Sequence, residues 1–231
     1  MPRLSPRDIL VLLAIGALFI WYFSPGAFRD PTALLITVGA IVLAITVHEF
    51  NHAFVANALG DPTPKLMGRL TLNPLSHLDP IGTLMLFVAR FGWGKPVMFN
   101  PYNLKVNPAI GSAAVSFAGP FANILLAVAL ALPLRLGLRP GPLEGQILRE
   151  CMDINVLLAA FNLIPIPPLD GFGVLQGVLP SGARRALEPL RAQGPILLLV
   201  LVFLPTFGGP NVLGIVMRPI IQALLVLVRG G

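Results

Sequence analysis

Ile45-Thr46-Val47-His48-Glu49-Phe50-Asn51-His52-Ala53-Phe54-Val55-Ala56 decides the fold, because it sets His-Glu-x-x-His inside an apolar segment running from about Pro31 to Leu59. On a helix, residues four apart share a face, so His48 and His52 converge on one side and Glu49 reaches the same opening. Two imidazoles so placed, with a carboxylate beside them, form the ligand pattern of a hydrolytic zinc site that keeps one position for water. A charged group near the centre of a bilayer helix costs about 2.5 to 3.5 kcal/mol on insertion scales. An apolar segment therefore carries this cluster for its chemistry. The bland alternative is a pair of histidines bonded to neighbouring helices with Glu49 as their partner.

Composition sets the surroundings. The chain is 55% hydrophobic and only 11% charged, with a mean hydropathy of +0.82, which leaves too little polar surface to cover a water-soluble domain. The expectation is an all-α polytopic membrane protein in the cell membrane, with about six transmembrane helices in contact with the lipid bilayer. The net charge of +6 does not point to nucleic acid, because the basic residues are scattered among segment ends rather than gathered into a patch. Cys151 stands alone, which excludes an intrachain disulfide and leaves a small apolar filler as its plain reading.

In chain order, Arg3 and Arg7 precede an apolar run, and Trp21, Tyr22 and Pro25 follow it where a cleavage site needs small residues, so residues 8–24 are expected as an uncleaved first span. Pro31 to Leu59 is the second. From Gly60 to Asn107 the prolines rule out a long helix; Lys65 to Met67, Arg69 to Leu72 and Pro96 to Phe99 are expected as short strands, forming a short β-hairpin, and Leu84 to Phe91 as a re-entrant piece. Pro108 to Leu138 is the third span, with small residues at spacings that permit close helix contact. A polar connection containing Arg139, Glu144, Arg149, Glu150 and Asp153 leads to a fourth span at about Ile154. That span is interrupted by Asn162-Leu163-Ile164-Pro165-Ile166-Pro167-Pro168-Leu169-Asp170-Gly171, whose prolines free backbone groups that membrane depth tolerates only beside protein or a wet cavity. Taken alone, Asp170-Gly171 is equally a turn at the membrane edge. Pro195 to Phe207 and Val212 to Val228 complete the set as two spans or one hairpin, giving a single domain with its core at 31–179 and peripheral spans at 8–24 and 194–229.

These motifs, in this order, resemble those of the site-2 protease family, the intramembrane zinc metalloproteases. The resemblance rests on His48-Glu49-x-x-His52-Ala53 with Gly60-Asp61; on Gly68-Arg69-Leu70-Thr71-Leu72-Asn73-Pro74-Leu75; on His77-x-Asp79-Pro80-x-Gly82-Thr83-Leu84; on Gly92-Trp93-Gly94-Lys95-Pro96-Val97; on Gly119-Pro120-x-x-Asn123; and on the Asn162 to Gly171 stretch. It covers about Ile45 to Gly171. It implies one Zn2+ ion held by His48, His52 and Asp170, with Glu49 as the catalytic acid–base, and a membrane-tethered protein with a transmembrane helix as the substrate. It also implies Asn162 as a substrate-binding residue. Asn123 is open between substrate binding and interhelical hydrogen bonding, and His77 and Asp79 between a local turn and a metal role.

The extended pieces around Lys65 to Leu72 and Pro96 to Phe99 are expected to bind an unwound substrate by strand addition. No insertion is large enough for the PDZ-type module that some relatives carry. A prenyl-protein processing enzyme of the same motif uses a glutamate as third ligand, and no glutamate lies in a downstream intramembrane segment. A metal-binding membrane transporter or an inactive scaffold for membrane helices is the reading from another class. With six spans, Arg3, Arg7, Lys65, Arg69, Arg90, Lys95, Lys105, Arg184, Arg185, Arg191 and Arg229 fall on one side and Arg29, Arg135, Arg139, Arg149 and Arg218 on the other, eleven against five. That bias puts both termini and the opening of the metal site in the cytoplasm. The physiological substrate and the oligomeric state are not written in the sequence.

Overall fold

The structure, a computed structural model, describes residues 30–80, 82 and 94–230. The expected first span and the re-entrant piece at 84–91 lie outside the described residues. The described part is helical, and four of its helices, Pro31–Ala58, Pro108–Arg135, Leu190–Phe207 and Val212–Arg229, are long and apolar enough to cross a membrane.

Helix α1 (Pro31–Ala58) opens on Asp30, whose carboxylate accepts from Ala33 N–H, with Pro31 in the first turn. It stops at Gly60, whose φ of 112° suits glycine and where a side chain would collide with Lys105. A face of Ala40, Ala44, Ala53 and Ala56, all at 0 to 1% exposure, lets neighbouring helices come close. The short helix α2 (Thr63–Leu66) follows. Helix α3 (Pro108–Arg135), capped by Asn107, packs against α1. It also packs against α4 (Pro142–Asn162) and α5 (Asp170–Val178). Helices α6 (Ser181–Leu187), α7 (Leu190–Phe203) and α8 (Val212–Arg229) complete the chain.

Three expectations change. The first concerns the short strands: Lys65 and Leu66 are helical, because Pro62 and Pro64 hold φ values suited to a first helical turn. Arg69 to Leu72 and Pro96 to Phe99 are not strands either, and among the described residues the only β pairing is an isolated antiparallel bridge between Leu78 and Gly94. Side chains hold this loop instead of a ladder: buried Arg69 donates to the Ser76 carbonyl, and Asn73 Oδ1 accepts from Leu75 N–H at 3.1 Å. The second is the polar connection. Residues 142–153 form the first half of α4, started by Pro142 with Glu144 in the first turn, so its charges lie at the end of a helix. The third is the face of the last helix. Arg135, ending α3, donates to the Leu227 carbonyl, and Arg229 pairs with Asp153 at 2.7 Å. The end of α8 therefore lies with the end of α3, about 42 Å along that helix from Lys105, whose N–H donates to Leu59 O at 2.8 Å. Arg229 lies on the side of Arg135 and Arg149, and the C-terminal end of α8 faces away from Lys65 and Lys105.

Two apolar clusters fix the levels. Ala127, Ala131, Met152, Val156 and Val228 pack at the Arg229 end. Ile164, Leu169, Leu198 and Leu213 pack around the proline-rich break between α4 and α5.

Asp61 ties the loop to the end of α1. It is fully buried and accepts from Thr63 Oγ1 at 2.6 Å, Thr63 N at 3.1 Å, Asn100 N at 2.6 Å and Asn103 Nδ2 at 2.9 Å. Burial opposes its ionisation, but these bonds from Thr63, Asn103 and Asn100 outweigh it and hold the carboxyl below the usual carboxylate range. The folded value lies below the unfolded one of about 3.9, so this stabilisation is present at neutral pH and is lost as pH falls through the folded value. Asp61→Asn is expected to lower the melting temperature of the detergent-solubilised protein by about 4 °C at pH 7. The gap between variant and wild type should close below the unfolded value; a gap independent of pH between 7 and 3 contradicts the assignment.

Candidate metal centre

His48 and His52 sit in the second half of α1 at 5% and 7% exposure, their rings edge to face with centroids 4.6 Å apart. Asp170 arrives from the opposite direction, as the first residue of α5. The break Leu163 to Leu169 makes that possible: it ends α4 and lets a new helix begin at the level of the two imidazoles. A side chain on Gly171 would collide with the carbonyls of Leu163 and Ile164, so α5 rests directly on the backbone of the break. Gly173 and Gly177 likewise bring α5 against Ser116 and Ala113 of α3.

Asp170 Oδ2 lies 3.0 Å from His48 Nε2 and 3.3 Å from His52 Nε2. These three atoms lie within 4.8 Å of one another. His52 Nδ1 is 2.6 Å from the Val115 carbonyl, which only accepts, so Nδ1 carries the proton. His48 Nδ1 is 2.7 Å from Asn123 Oδ1, and Asn123 Nδ2 donates to Ala44 O at 3.0 Å and to Asn155 Oδ1 at 2.7 Å, so here too Nδ1 is the donor. Both Nε2 atoms of the neutral rings therefore present lone pairs to a carboxylate oxygen that is buried and accepts no hydrogen bond.

Three such atoms in an apolar interior need a proton or a metal cation among them, and one divalent ion satisfies all three. Donors at about 2.0 to 2.1 Å from a tetrahedral zinc stand roughly 3.3 Å apart, close to the separations found here. Gly119 leaves the space open: a Cβ there would lie 2.5 Å from His52 Nε2 and 2.7 Å from His48 Nε2. Two imidazoles and one carboxylate suit zinc, with a fourth position open.

The curated relatives agree with this geometry. YwhC of Bacillus subtilis, named as a candidate zinc metalloprotease, is 37% identical over 174 residues, covering 71% of this chain and 78% of its own. Rip2 of Mycolicibacterium smegmatis, named in the same way, is 33% identical over 221 residues, covering 89% and 83%. Rip2 of Mycobacterium tuberculosis is 31% identical over 216 residues, covering 87% and 80%. The chain belongs to the site-2 protease family. No protein-family model and no solved structure matches it.

The other expected site residues of this family member are placed as follows. Glu49 Oε2 accepts from Val97 N–H at 3.2 Å, which brings the 94–97 loop onto the motif. Glu49 and His48 line a half-open cavity of about 750 Å³ bordered by α1, α4, α7 and α8, with Gly94, Pro96, Pro168 and Leu169 also in its lining. Asn162 also lines it, its Nδ2 donating to Leu158 O at 3.0 Å. Asn123 does not. It is fully buried behind His48 with its acceptor and both amide hydrogens engaged in bonds to α1 and α4. His77 is buried, is not among the clustered donors, and bonds through Nε2 to Thr71 O at 2.7 Å, which is the local-turn role.

Sequence reading missed two residues that shape the site. Gly119 carries the opening over the two Nε2 atoms, and Val97 reaches Glu49 through its backbone, a contact no side-chain pattern reveals. Gly119→Ala should cut the zinc content of the purified protein by about tenfold or more with helical circular dichroism unchanged. Full zinc occupancy in that variant would mean that the space over Gly119 is not the metal's.

Proposed function

We propose that this membrane metalloprotease hydrolyses a peptide bond within or next to a transmembrane helix of its protein substrate, using His48, His52 and Asp170 as zinc ligands and Glu49 as the acid–base. The observation that carries the reading is the meeting of two imidazole nitrogens and one buried, otherwise unpaired carboxylate oxygen at the wall of an apolar cavity that also holds Glu49. Zinc, when bound there, supplies a water of lowered pKa and polarises the scissile carbonyl.

The chain's own residues do the rest. The Val115 carbonyl and Asn123 Oδ1 hold the two imidazoles in the tautomer that presents Nε2. Glu49 is steadied by the Val97 N–H on Oε2 and receives a proton from water, then passes it to the leaving amine. The cavity is lined by Val38, Ile41, Ile45, Leu157, Leu158 and Leu198, which suits an apolar segment.

A substrate helix is already hydrogen-bonded within itself, so it must unwind before a carbonyl reaches the site, and glycine or proline near the cleavage point favours this. Pro96 to Phe99 lies outside any β pairing among the described residues and borders the cavity at Pro96, which supports a role in meeting the unwound stretch. Lys65, Arg69, Lys95, Lys105, Arg184, Arg185 and Arg191 toward the start of α3, against Arg135, Arg139, Arg149 and Arg229 toward its end, support a multi-pass arrangement in which the Lys65 and Lys105 side faces the cytoplasm.

In Glu49→Gln, cleavage of a model single-span substrate is expected to drop about a hundredfold or more, with zinc content by elemental analysis equal to wild type. A transporter or scaffold keeps its activity in that variant. Asp170→Ala should bind less zinc, and an unchanged zinc content counts against Asp170 as a ligand.

A further inference from the structure

Asn155 lies on α4, one helix away from the two histidines, and is fully buried at the level where α1, α3 and α4 meet. An amide placed in such an apolar interior needs partners for its polar atoms. Asn155 Nδ2 donates to the Cys151 carbonyl at 2.7 Å, which fixes the rotation of its amide and turns Oδ1 toward α3. That oxygen accepts from Asn123 Nδ2 at 2.7 Å. The other hydrogen of Asn123 goes to Ala44 O at 3.0 Å, and Asn123 Oδ1 accepts from His48 Nδ1 at 2.7 Å. Three hydrogen bonds thus run in one sense, from His48 through Asn123 and Asn155 to the backbone of α4, and each polarises the next.

We infer that Asn155 is a positioning residue for the metal centre: acting through Asn123, it holds the proton of His48 on Nδ1 so that Nε2 is free to bind a metal. Ala44 O alone holds one hydrogen of Asn123. Without Asn155 the second is buried and unpaired, and the amide turns away from His48 to relieve it. His52 is independent of this chain, because it donates to the Val115 backbone carbonyl at 2.6 Å. The effect is therefore confined to one of the two imidazoles. The inference rests on His48 being a zinc ligand, and the test separates the two.

The test uses the full-length protein labelled with ¹⁵N-histidine, which has only three histidines to resolve. In metal-free wild type, His48 is expected as the Nδ1–H tautomer. Asn155→Leu should shift His48 toward the other tautomer, leave His52 unmoved and weaken zinc affinity about tenfold. Asn155→Asp, protonated in this interior, keeps a donor for Cys151 O and an acceptor for Asn123, and should restore both signals. In an Asn123→Ala background, Asn155→Leu should cause no further loss of zinc affinity, since both act along one path. Wild-type protein that binds no zinc overturns the metal reading. An unmoved His48 signal in Asn155→Leu, or losses that add in the double variant, overturns the role of Asn155. Asn155→Asp guards against misfolding, since failure of that variant to restore His48 also counts against it.

Discussion

Two imidazole nitrogens and a carboxylate oxygen face one another in an apolar interior, with no other hydrogen bond to that oxygen, so a proton or a metal cation has to lie among them. Such a cluster is unfavourable without a cation, so the packing around it must both enforce the approach and leave room for the ion. One helix cannot do this alone. His48 and His52, four residues apart, supply two donors from one face of α1, and the third comes from the start of another helix at the same depth. The proline-rich break supplies it by ending α4 and starting α5 inside the protein. The cost of interrupting a helix at that depth is limited because α5, lacking a side chain at Gly171, sits on the carbonyls of the break.

Close approach of backbones does the work that apolar burial does in water. In lipid no hydrophobic force brings helices together, so packing depends on small residues. The alanine face of α1, Gly119 of α3, and Gly173 and Gly177 of α5 are positions of this kind. Gly119 serves two purposes, letting α3 lie against the histidines and leaving the gap in which the ion fits. The same closeness lets backbone carbonyls of one helix bond side chains of another, as Val115 O does with His52 and Ala44 O with Asn123.

Much of this was legible in the chain. The spacing of His48 and His52 places them on one face whatever the tertiary structure, and three prolines before Asp170 announce a break. What the sequence hides depends on partners distant along the chain. Lys65 to Leu72 has apolar residues at alternating positions, yet Pro62 and Pro64 start a helical turn and Arg69 bonds the Ser76 carbonyl, so local geometry wins over the alternation. The charges of residues 144–153 suggest a solvated connection, whereas these residues form the first half of α4. Asn155 carries no motif of its own. Only the register of α4 against α3 shows that its amide meets Asn123.

Glu49 follows from the same constraint in a different way. Its neighbours in sequence are the ligands, so its place near the metal is set by the helix, but its orientation is not. That comes from the Val97 N–H, on a loop whose position depends on Asp61 at the end of α1 through Asn100. A carboxylate held by one backbone donor is kept aimed toward the two histidines' side of α1. In the proposed mechanism the segment from Gly94 to Lys105 takes part, tied to the end of α1 through Asp61 and to Glu49 through Val97.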